Sequence, residues 1–94
     1  MNKIEAIMLK NGAEFIAEVT KDEYGRFGFR NPVTIFQDNT GQARFAPWFG
    51  FAEAREYEIS SSEILIHSVA GAEIVSGYQQ AFGLIQTPDK KIIV

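Results

Sequence analysis

No cysteine occurs in these 94 residues, which excludes disulfides, thiolate metal sites and cysteine nucleophiles together. Histidine occurs once, at His67. A zinc site there would need three carboxylates around it, an unusual ligand set, so neither a metal nor a cofactor is expected. No apolar run reaches the length of a membrane span, because Asp, Glu, Lys, Arg or Gln interrupts each one. Lys3-Ile4-Glu5 opens no secretory signal, and the expectation is a cytoplasmic protein without a membrane partner. Basic charge is also scarce: 9 Lys and Arg against 12 Asp and Glu leave a net charge of −3, without the broad positive field that draws proteins to phosphate backbones.

Catalytic signatures are missing as well. Ser60-Ser61-Ser62 lies in no Gly-x-Ser-x-Gly elbow, and Gly25-Arg26-Phe27-Gly28 is not a phosphate-cradling loop. Glu56 and Glu58, two residues apart, describe a solvated strand face. The expectation is a protein that is not an enzyme.

What is abundant is apolar side chain: 46% of residues are hydrophobic and 13% aromatic, with eight Phe. A chain of this size forms one domain, spanning residues 1–94, and buries roughly 60–65% of its unfolded surface. Part of so large an aromatic load is therefore expected to be buried between subunits. Ile4 to Leu9 reads as a strand, and Asn11-Gly12 after it is a strong hairpin signal. Ala13 to Lys21 alternates, with Ala13, Phe15, Ala17 and Val19 inward. A turn at residues 21–25 leads to a strand from Arg26 in which Gly28 permits a tight bend or bulge. Asn31-Pro32 marks an edge, a bulge or a change of sheet. Val33 to Phe36 resumes the strand, 38–41 is a turn, and Tyr57, Ile59 and Glu63 to His67 complete the strands within 4–67. From Ala70 the period changes: Ala70, Ile74, Tyr78 and Phe82 recur every four residues, predicting an amphipathic helix over about 70–82. Ser68 and Gly83 stand as its candidate caps. Residues 84–94 form a tail, whose Lys91 to Val94 reads as either a frayed end or a terminal strand.

Two groups of residues carry functional expectations. Phe45, Trp48, Phe49 and Phe51 crowd four aromatics into seven residues, suited to core or subunit packing, where Trp and Phe anchor interfaces. The alternative is base stacking. Residues 1–30 hold five basic side chains, whereas residues 31–87 hold only Arg44 and Arg55 against six acids. A nucleic-acid partner would accordingly meet Lys10, Asn11, Lys21, Arg26 and Arg30, cations for phosphate and an amide for base edges. Solubility of hairpin loops is the plainer reading of the same residues.

At Leu9-Lys10-Asn11-Gly12-Ala13-Glu14-Phe15 the sequence resembles the first motif of the Sm-like (LSm/Hfq) family: a leucine, an Asn-Gly turn and a hydrophobic residue before a sharply bent strand. Val19 and Asp22 sit near that family's hydrophobic and acidic positions. The layout also resembles small proteins of tailed phages, including cyanophages, through Asn31-Pro32-Val33, Pro47-Trp48 and Tyr78-Gln79-Gln80. The resemblance implies a mainly β fold, a small, strongly bent five-stranded antiparallel barrel, here with a C-terminal α-helix. It further implies assembly with itself into a homo-oligomeric ring and binding of single-stranded RNA, in a bacterial host or a phage-infected cell. A phage structural or protein-interaction module without a nucleic-acid partner is the other reading.

Overall fold

Alternating apolar residues and short turns build an antiparallel sheet in the structure, a computed structural model that describes residues 3–82. The elements are β1 (Lys3–Leu9), β2 (Glu14–Glu23), β3 (Arg26–Gln37), β4 (Ala43–Pro47), β5 (Glu56–Ser60), a 3-10 turn (Ser61–Glu63), β6 (Ile64–Val69) and α1 (Ala72–Ala81). Asn11-Gly12 makes the first turn as the sequence implies: Gly12 sits at φ 95°, and the Asn11 side-chain oxygen accepts from the Ala13 amide at 2.9 Å. The second turn is tighter than the composition of 21–25 suggests. β2 runs on to Glu23, and Tyr24-Gly25, both at positive φ, close a two-residue hairpin.

The expected five-stranded barrel does not form. Six strands lie in the order β4-β3-β2-β1-β6, with β5 also paired to β3. Among the described residues no ladder joins β6 back to β4 or β5, so the sheet stays open. The extra strand has a local cause. Asn31 adopts φ 52° in the middle of the twelve-residue β3, a conformation Asn tolerates better than most side chains. The kink divides the outer side of β3 in two. Arg26 to Arg30 pair with β5, and Val33 to Gln37 pair with β4. Asn31-Pro32 thus bends a continuous strand rather than ending one, and each half recruits its own neighbour.

Strand alternation sends apolar residues to both faces. One face gathers Ile7, Phe15, Ala17, Phe27 and Phe29, with Trp48, Tyr57, Ile59 and Ile64 packed against them. The other gathers Ile4 and Val33 with Ala70, and α1 covers these through Tyr78, Ile74 and Val75, with Phe82 at its end. The helix is shorter than the four-residue period implies, and its N-cap is Gly71, which offers no side-chain cap, rather than Ser68. What holds it down is Tyr78, fully buried, whose hydroxyl reaches the carbonyls of Arg30 at 2.9 Å and Asn31 at 2.8 Å. Helix docking and the β3 kink are therefore one feature. Burial pushes the Tyr78 phenol well above its ordinary range. The candidate cap Gly83 and the 84–94 tail lie outside the described residues.

Gly28 explains itself by contact. A Cβ there would sit 2.8 Å from the Thr20 hydroxyl and 3.2 Å from the Lys21 Cβ, at the point where the β2–β3 register shifts. The bulge lies in the facing strand, where Thr20 is the extra residue of β2, and Gly28 lacks a side chain because that strand occupies its place.

Candidate functional site

Of the residues proposed for nucleic acid, the structure brings Lys21 and Arg26 together on Glu58, with Arg30 further along the same ladder, and sets Lys10 and Asn11 apart in a turn. Lys10 and Asn11 stand in the β1–β2 turn, where the Lys10 amide donates to the Glu63 carbonyl at 2.9 Å. Lys21, Arg26 and Arg30 lie along the β2–β3–β5 ladder, each opposite a carboxylate. Arg26 Nε is 2.8 Å and Lys21 Nζ 3.5 Å from Glu58, and Arg30 reaches Glu56 at 3.3 Å and Glu18 at 3.5 Å. The hydrogen-bonded Arg26 guanidinium and then the Lys21 ammonium hold the Glu58 carboxyl below its ordinary range. Lys21, Arg26 and Arg30 are thus matched by acids, Glu56 and Glu58 brought across by β5 and Glu18 from β2.

The aromatic run separates by direction. Trp48 stacks on Phe15, ring centroids 4.3 Å apart, and Phe45 meets the edge of Tyr78 at 6.4 Å. Phe49 is about half exposed and Phe51 fully so. Residues 48–55 form an arch over the β3 kink with both feet tied down. The Trp48 amide donates to the Pro32 carbonyl at 2.9 Å, and the Asn31 amide donates to the Arg55 carbonyl at 2.8 Å. Beneath the arch, toward the end of α1, lies a cavity of about 330 Å³. Phe45, Phe49, Tyr57 and Phe82 line it, with Glu53 and Arg55 as its charged border.

A third feature escaped the sequence reading. β6 is the last strand of the sheet and pairs only with β1 among the described residues. Leu65, Ile66 and Val69 on it are 62%, 60% and 57% exposed. The strand reads ILIHSV, without a proline, a lysine or an acid. The opposite edge, β4, reads ARFAP, with the arginine and proline that usually blunt an open edge. A run of apolar β-formers in sequence was the available signal, but it describes a buried strand equally well.

His67 on β6 points across β1. Its Nδ1 is 2.5 Å from the Glu5 carboxylate, and its Nε2 is 3.8 Å from that of Asp22. The ring packs against Phe27 at 5.1 Å. Glu5 is buried, so the histidine supplies the partner that a buried carboxylate needs. Among the described residues no group of three His, Cys, Asp or Glu side chains is placed to hold a metal ion, and no helix is long and apolar enough to cross a membrane.

These features define a six-stranded antiparallel sheet with one docked helix, an exposed apolar edge and a small arched cavity. No family model and no curated protein matches the chain. The Sm-like resemblance is therefore withdrawn, and with it the ring and the RNA-binding role. Its motif amounts to an Asn-Gly hairpin followed by an alternating strand, a pattern common to antiparallel sheets, and the sheet it would have to close is open.

Proposed function

We propose that this chain is a non-catalytic assembly module that joins another copy of itself through the edge of β6. The carrying observation is the exposure of Leu65, Ile66 and Val69 on an edge strand without Lys, Arg, Asp or Glu. Covering these side chains recovers roughly 3–5 kcal/mol in total, and each new strand-to-strand hydrogen bond adds about 0.5–1.5 kcal/mol. The strand brings no Lys, Arg, Asp or Glu into an edge-to-edge pair of copies, so it supplies its own compatible partner. The absence of chemistry is part of the proposal. Both ring nitrogens of His67 face carboxylates, which fits a structural clamp better than a base activating a hydroxyl.

Light scattering on the purified chain is the test. The expected mass is at least twice the 10.5 kDa of one copy. Ile66→Lys, at an exposed position, should return it to one copy with an unchanged circular dichroism spectrum. A wild type that is monomeric at about 0.1 mM caps the association near 5.5 kcal/mol and refutes the proposal.

A further inference from the structure

The arched cavity lies away from β6, and none of its lining residues belongs to that strand. Its walls are aromatic: Phe45 from β4, Phe49 from the arch, Tyr57 from β5 and Phe82 from the end of α1. Its volume, about 330 Å³, falls at the small end of ligand pockets. The Tyr57 hydroxyl already donates to the Ala54 carbonyl, which leaves the charged border to choose the ligand.

That border is unusual within this molecule. The sequence has four arginines. Arg26 pairs with Glu58, Arg30 with Glu18 and Glu56, and Arg44 with Asp38. Arg55, at the foot of the arch, has no carboxylate partner among the described residues, although Glu53 borders the same cavity. The Arg55 backbone carbonyl is fixed by the Asn31 amide, so the position is anchored while its guanidinium stays open to an anion. An apolar bed beside an unmatched guanidinium is complementary to one kind of molecule.

From this juxtaposition we infer that the cavity binds a small carboxylate with an apolar, ring-sized body, its ring among Phe45, Phe49 and Tyr57 and its carboxylate on Arg55. A charge-assisted guanidinium–carboxylate contact at the border sets the selectivity, and the aromatic walls supply the contact area. Glu53 opposes the ligand's charge and holds the affinity down.

The probe is 3-phenylpropanoate, titrated into the full chain and followed by amide chemical shifts. Saturation at a dissociation constant of about 1 mM or tighter is expected, with the shifts confined to 31–33, 45–57 and 81–82. Arg55→Met should weaken binding about tenfold, and Glu53→Gln should tighten it about twofold. Both side chains are exposed, so neither change threatens the fold. The alcohol 3-phenylpropan-1-ol should bind about tenfold more weakly and be indifferent to Arg55→Met. Absence of shifts at about 10 mM probe, or equal binding by wild type and Arg55→Met, overturns the inference. So do nuclear Overhauser contacts in the ligand-free protein from residues 83–94, or from a second copy, onto Phe49 and Tyr57, because the groove would then belong to a protein segment.

Discussion

Replacing Tyr78 by Phe removes one oxygen and tests whether a single hydroxyl holds the helix and the strand kink together. The ring is fully buried between α1 and the sheet, and its hydroxyl proton is shared by the carbonyls of Arg30 and Asn31. Phe keeps the apolar contact with Phe45 and Phe82, so the loss is confined to polar terms. A net hydrogen bond is worth about 0.5–1.5 kcal/mol, and a buried carbonyl left without a donor costs about 1–3 kcal/mol. With two carbonyls affected and some relaxation of the kink, a loss of about 2–3 kcal/mol is expected. For a domain of this size that lowers Tm by about 8–24 °C. Urea unfolding gives the free energy directly, with an unchanged m-value if only the native state is affected. The same residue has an alkaline signature. Its folded pKa is raised, so its contribution to stability is complete below the unfolded value near 10 and is lost as pH rises from there toward the folded value. The wild-type minus Tyr78→Phe difference spectrum should therefore show its phenolate only as the protein unfolds. A stability loss under about 0.5 kcal/mol, or a phenolate signal from the folded protein near pH 10, would refute the reasoning.

The acid limb should be governed in part by Asp38. Its carboxylate accepts from the Thr40 hydroxyl at 2.6 Å, from the Thr40 and Gln42 amides and from Arg44 Nε at 2.8 Å. Those partners, the Thr40 hydroxyl first and Arg44 next, hold it far below the ordinary carboxylate range. A depressed pKa contributes stability above the unfolded value, about 3.9, and loses it as pH falls toward the folded one. Asp38→Asn should accordingly flatten the fall in stability between about pH 4 and pH 2, read by thermal melts across pH; an unchanged slope contradicts this. At the other end of the sheet, His67→Ala leaves the buried Glu5 carboxylate without its partner and should cost about 1–3 kcal/mol. In a double-mutant cycle with Glu5→Gln most of that loss should vanish, and additive losses would show that the two do not act as a pair.

How much of this was readable from the sequence depended on whether a feature is local. The Asn11-Gly12 turn and the four-residue period that places Tyr78 are both fixed by neighbours within a few positions. Three outcomes turned on contacts across the chain. Asn31 precedes a proline, which normally favours extended backbone, and its positive φ is stabilised by Tyr78, forty-seven residues on. That kink produced six strands from a pattern read as five. Arg26 and Lys21 looked free because Glu58 comes to them only when β5 pairs with β3. The edge position of β6 follows from strand order, and no local pattern encodes strand order. The cavity was the least legible feature, since it exists only between the arch, the kink and the helix end.

The two surfaces proposed to act lie on different elements, and this makes them separable. β6 contributes Leu65, Ile66 and Val69, while the cavity draws on β3, β4, β5, the arch and the end of α1. If copies associate through β6 alone, assembly leaves the arch uncovered. Ile66→Lys should then give a monomer that binds 3-phenylpropanoate within about twofold of the wild type, and Arg55→Met should lose binding while keeping the wild-type mass. Sites without shared partners behave independently in this way. The informative failure is specific. If the monomeric variant loses the ligand while its dichroism is unchanged, a second copy completes the cavity, and the association surface must extend beyond the β6 edge to Phe49 and the fully exposed Phe51. Light scattering and shift titration on the two single variants and their combination distinguish these cases, because only a shared surface makes the losses of binding and of mass coincide.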